Sequence, residues 1–124
     1  MKLDHSRLDQ ELMQVYNKMP VALGAITRDN LQMVRDNLAA TRPPAPEGAM
    51  EPESIEVAGP DGNVTVYVYR QKSESPQPAL VWIHGGGYIL GTALDDRARD
   101  IATSLNCAVF SVDYRIAPEH PFPA

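Results

Sequence analysis

Apolar positions along the chain change period twice, and the changes divide it. Leu8, Leu12, Val15, Tyr16 and Met19 recur at i, i+4, i+7, i+8 and i+11, the spacing of one helical face, and Pro20 closes the segment. Thr27 is placed to cap a second helix carrying Leu31, Val34 and Leu38, which stops before Pro43 and Pro44. "TRPPAPEGAMEPES" then reads as a linker, rich in proline and acid. Beyond it the period becomes that of strands. In "SIEVAGPDGNVTVYVYR" Pro60-Asp61-Gly62 is a turn between two β-prone runs, which predicts antiparallel strands near 54–58 and 63–70. "ALVWIH" and "CAVFSVDY" are nearly continuous apolar runs, the pattern of strands buried on both faces. Between them Leu94, Ala98, Ile101, Ala102 and Leu105 mark one face of a helix, so the segment predicts a parallel βαβ unit.

The expected fold class is therefore α/β: two leading antiparallel strands, then a parallel βαβ unit, preceded by helices. The expected division is a helical region at 1–45 and a sheet region at 46–124.

Composition narrows the function. With 124 residues, 44% hydrophobic and 22% charged, the chain reads as an ordinary globular unit able to bury a core. Its net charge is −5 and its basic residues are scattered, which argues against a nucleic-acid surface. No apolar run approaches the length of a membrane span, and "MKLDHSRLDQ" lacks the apolar core of a signal peptide, so a cytoplasmic setting is expected. The single cysteine, Cys107, sits in an apolar run and reads as a small buried hydrophobe. Three histidines without CxxC or HExxH spacing leave no metal site to expect, and no cofactor is implied.

The chemistry is carried by "ALVWIHGGGYILG". Three consecutive glycines contribute no side chain to packing and are conformationally expensive, so this position requires bare backbone. It follows the carboxyl end of a buried parallel strand, where open α/β sheets place ligands. A dinucleotide fingerprint fits poorly: Gly85 and Gly87 satisfy its first half, but the third position falls on Leu90, with Gly91 one residue late. Acyl transfer fits better. A tetrahedral intermediate carries a developing oxyanion that preorganised N–H groups stabilise, and HGGG after a strand is the form this loop takes in lipases and esterases. A glycine-rich turn without chemistry is the competing reading of the loop alone.

"HGGGYILG" together with "SVDYRIAPEHPFPA" resembles the hormone-sensitive-lipase-like branch of the α/β-hydrolases. The resemblance is specific over 80–124 and weak over the rest of the chain. It implies a serine carboxylesterase acting on small acyl esters, with helices at 1–40 forming part of a cap over the acyl pocket. It gives the oxyanion-holding role to Gly86 and Gly87, with Gly85 alongside, and places Tyr88 at the site entrance as a substrate-binding residue. His84 is implied to fix the loop through hydrogen bonds rather than to act as base, and His120 to be structural. Asp113, Tyr114 and Arg115 read as a buried hydrogen-bond and charge network tying the fourth strand to "APEHPFPA". Many members carry a Ser/Thr-His pair where this chain has Asp95-Asp96, which puts the local loop contacts in question.

The triad is missing. In such hydrolases it runs Ser, Asp or Glu, then His, with the serine on a GxSxG elbow. None of Ser6, Ser54, Ser73, Ser75, Ser104 and Ser111 has glycine two residues away on both sides. Nucleophile, acid and base are thus expected downstream of residue 124, on a companion segment or chain. The sheet is expected to end early, with apolar faces exposed, so that the chain alone is marginal or self-associating, and a homo-oligomer is also open. The alternative is a catalytically inactive truncated product or an interaction module that needs a complementing chain.

Overall fold

The computed structural model describes residues 7–18 and 26–123. Two compact units divide at Pro43/Pro44. The first contains α1 (Gln10–Lys18) and α2 (Leu31–Thr41). Along α1, Leu12 and Val15 are 59% and 56% exposed, and Met19 and Pro20 lie outside the described residues. Thr27 does not cap α2. Asn30 is the N-cap residue, and its side chain turns back to accept from the Thr27 N–H at 2.8 Å. Leu31 and Val34 are buried.

The second unit is a four-stranded sheet of β1 (Glu53–Gly59), β2 (Gly62–Tyr69), β3 (Ala79–Ile83) and β4 (Ala108–Val112), with α3 (Asp96–Leu105) between β3 and β4. The spatial order is β1-β2-β4-β3. β1 and β2 pair antiparallel across a two-residue turn that sets Gly59 opposite Gly62, with Gly62 at φ +120°. β2 pairs antiparallel with β4, and β3 runs parallel to β4 with Ala79 opposite Ala108 and Ile83 opposite Val112. The two antiparallel strands and the parallel strand–helix–strand unit expected from the pattern are both present.

Register sorts the side chains. Tyr69 lies opposite Val109, and Val109 opposite Leu80. This row faces α3, whose Ala98 and Ala102 are fully buried and small enough for close approach, and Cys107 closes the cluster. Ser111 is also fully buried, and its hydroxyl donates to the Ala93 carbonyl at 2.6 Å, which satisfies it. α3 starts at Asp95, whose carboxylate accepts from the Arg97 N–H at 2.9 Å and from the Trp82 indole N–H at 3.1 Å. One carboxylate thus caps the helix and ties it to β3. α3 ends at Asn106 in the left-handed conformation, φ 48°.

Three expectations fail here. The run "ALVWIH" is not buried on both faces: Val81 and Ile83 are each 67% exposed, because β3 is an edge strand and no described element covers that side. Leu94 precedes α3 rather than lying in it. Leu105, at the last turn, is 67% exposed.

Asp95→Ala should lower unfolding stability by roughly 1–2 kcal/mol through loss of the cap, whereas Asp95→Asn, still a good cap, should lose less. Urea unfolding followed by the emission of Trp82, the single tryptophan, measures both.

Candidate functional site

Backbone leaves β3 through His84, which is buried, and turns at once into the glycines. Gly86, Gly87 and Tyr88 all have positive φ, at 134°, 60° and 62°. The turn closes when the Ile89 and Leu90 N–H groups both donate to the Gly86 carbonyl, at 3.2 and 2.9 Å. Two glycines are required by close approach. A Cβ on Gly86 would meet the Leu90 carbonyl, and one on Gly91 would meet the Gly85 carbonyl and the His84 ring. Gly85 and Gly87 face open space, so at Gly87 only the left-handed φ of 60° selects against a side chain.

The segment after β4 straps this loop. The Tyr114 hydroxyl donates to the His84 carbonyl at 2.6 Å, and its ring stacks on the His84 imidazole with centroids 4.3 Å apart and planes 13° from parallel. At the loop's far side the Ala117 N–H donates to the Tyr88 carbonyl at 2.8 Å. His84 Nδ1 lies 2.9 Å from the Gly85 carbonyl, so the tautomer protonated there donates to it. Among the described residues, the N–H groups of Gly86 and Gly87 have no protein acceptor.

The network drawn for residues 113–115 is different from the one expected. Asp113 is exposed and its N–H donates to the Thr65 carbonyl at 2.9 Å. Arg115 reaches the turn between β1 and β2, donating to the Asp61 carbonyl at 2.9 Å with the Asp61 carboxylate 3.9 Å away. Tyr114 reaches the glycine loop. The three side chains diverge because successive residues leaving a strand point to different sides, so they join three segments instead of forming one buried cluster. His120 is exposed.

Tyr88 is 74% exposed and its ring centroid is 6.3 Å from that of Tyr114. Both line an open cavity of about 740 Å³ with Val64, Val112, Arg115 and His120. Burial raises the Tyr114 phenol above its ordinary 10.0, and the neighbouring Tyr88 adds to the shift. Sequence reasoning missed Gly91 as a packing requirement and Tyr114 as a loop contact. The former could have been sought as a second glycine shortly after the first three, whereas nothing in sequence spacing points Tyr114 at His84. Among the described residues no group of three or more His, Cys, Asp or Glu side chains could hold a metal, and no helix is long and apolar enough to cross a membrane.

A glycine turn at the carboxyl end of a parallel strand, a preceding antiparallel pair and a β3–α3–β4 unit define the amino-terminal part of an α/β-hydrolase, and the chain is of the hormone-sensitive-lipase-like branch. Residues 80–124 match a family described by the alpha/beta hydrolase fold. Esterase LipI of Mycobacterium tuberculosis is 31% identical across 94% of this chain, and carboxylesterase NlhH of the same organism is 34% identical across 94%. The solved structure of a bacterial heroin esterase superposes on 94% of the chain with a TM-score of 0.78 and 29% identity. In each case the chain spans 38% of the relative's length.

Gly86→Ala and Gly91→Ala should each unfold the chain at lower temperature than Gly87→Ala, and Gly85→Ala should be closest to wild type; thermal unfolding gives the order. The fold's preference for neutral Tyr114 is fully present below the ordinary tyrosine value and is lost as pH rises through the raised one. In an ultraviolet titration, the phenolate signal missing from Tyr114→Phe should therefore fall on the alkaline side of pH 10.0.

Proposed function

We propose that these residues supply the oxyanion hole of a serine carboxylesterase acting on small acyl esters. The observation that carries the reading is the pair of N–H groups on the consecutive residues Gly86 and Gly87, without protein acceptors among the described residues, just past the carboxyl end of β3. Donors fixed in advance need no reorganisation when charge develops on a substrate carbonyl oxygen, and removing one such donor lowers turnover by about 10²–10³. Gly85 contributes space, since nothing stands within 4 Å of where its side chain would be. Tyr88, exposed at the cavity mouth, contacts the substrate, and His84 shapes the loop rather than moving protons, because its ring is stacked under Tyr114 and turned to the Gly85 carbonyl. The relatives named above as esterases support the reaction class.

In this reading serine attacks the acyl carbon while histidine takes its proton, and the Gly86 and Gly87 N–H groups hold the oxyanion. Histidine returns the proton to the alcohol as the acyl–oxygen bond breaks, and water then hydrolyses the acyl-enzyme by the same route. Serine, acid and base come from polypeptide beyond these 124 residues. The same polypeptide covers β3, whose Val81 and Ile83 are exposed and whose outer edge carries no charged residue to discourage pairing.

Treated with a fluorophosphonate ester, the 124-residue chain should gain no adduct by intact-mass spectrometry. An adduct on any of its serines would contradict the assignment of the nucleophile elsewhere. A polypeptide that continues the chain through a GxSxG segment should hydrolyse short p-nitrophenyl esters, with Gly86→Ala, whose Cβ would meet the Leu90 carbonyl and so displace the loop's N–H groups without removing them, lowering kcat.

A further inference from the structure

The glycine turn has few internal restraints: two hydrogen bonds to the Gly86 carbonyl hold its far half, the His84 ring reaches the Gly85 carbonyl at 2.9 Å, and none of these is made to the His84 carbonyl. The His84–Gly85 peptide sets the direction in which the chain enters Gly86. Its carbonyl is held from outside by the Tyr114 hydroxyl at 2.6 Å, the shorter end of the range for such bonds. The same hydroxyl is 3.4 Å from His84 Nδ1, and the ring above it lies nearly parallel to the imidazole. His84 and Tyr114 are 30 residues apart, so the contact exists only because β3 and β4 end side by side, with Ile83 opposite Val112.

We infer that Tyr114 is a positioning residue for the glycine loop, its hydroxyl fixing the His84 carbonyl so that the Gly86 and Gly87 N–H groups are held in one direction. Its value to catalysis rests on the esterase reading; its action on the loop does not. The stacking could be supplied by phenylalanine, but the hydrogen bond could not. Loss of the hydroxyl leaves the His84 carbonyl without its donor in a partly buried place, and the peptide is then free to rotate toward water. The Ala117 strap on Tyr88 remains, so the loop loosens at one end only.

The experiment is 15N relaxation on the chain and on Tyr114→Phe. In wild type the Gly86 and Gly87 amides should show order parameters near those of rigid backbone, about 0.85, and in the variant they should fall below about 0.6 while β2 and β4 amides are unchanged. Unchanged glycine values, or a uniform fall across the sheet, would overturn the inference. A direct measurement needs no variant: the Tyr114 hydroxyl proton of wild type should exchange slowly enough to be observed, and free exchange with solvent would equally overturn it. In the continued polypeptide, Tyr114→Phe should lower kcat about tenfold with KM unchanged. A wild type that hydrolyses no ester refutes the esterase reading, while the relaxation data decide the loop inference independently.

Discussion

Two places in the loop after β3 admit no side chain, and the geometry at that end of the sheet follows from them. Gly86 passes against the Leu90 carbonyl, and Gly91 passes against His84 and the Gly85 carbonyl. Together they fold seven residues back on themselves within a single turn. Among the described residues the Gly86 and Gly87 N–H groups have no protein acceptor, since the turn's hydrogen bonds are made by Ile89 and Leu90. A longer or looser loop would satisfy those groups internally. Here they stay available at the strand's carboxyl end, the one feature from which a chemical role can be argued.

The rest of the sheet region serves to hold that turn. β3 is anchored through its parallel pairing with β4 and through Trp82, whose indole reaches Asp95 at the start of α3. β4 is clamped in turn by β2 and by the close packing of Ala98 and Ala102. Its continuation returns over the loop, and Tyr114 and Ala117 contact opposite sides of it. One edge of the sheet is guarded. β1 carries Glu53, paired with Arg70 at 2.8 Å, and Glu56, which accepts from Thr65. The other edge, β3, is apolar and has no partner strand among the described residues beyond β4.

Much of this was legible in the chain itself. Pro60-Asp61-Gly62 announced the hairpin, and the apolar runs either side of an alternating helical face announced the parallel unit. The glycines announced bare backbone, which the structure requires at Gly86 by close approach and at Gly87 by its left-handed φ, but not at Gly85, where a Cβ would meet nothing. What could not be read were relations between distant residues. Asp95 looked like a departure from a pattern, and its two bonds appear only when Trp82 is brought beside the helix start. Tyr114 and Arg115 looked like partners because they are adjacent, although neighbouring side chains at a strand's end point apart. The continuous apolar run of β3 was read as burial on both faces, because pattern reports what a strand is built for, and exposure depends on which elements are present to cover it.

The central claim is that Gly86 and Gly87 hold an oxyanion, and phosphonylation tests it most directly. In the polypeptide continued through its nucleophile, a bound phosphonate presents a tetrahedral oxygen where the oxyanion forms. The account predicts that the amide protons of both glycines move downfield together on inhibition, with N–H to oxygen separations of about 2.7–3.1 Å in the structure of the adduct. If the serine is phosphonylated and both amides stay where they were, the glycine loop is not the oxyanion hole.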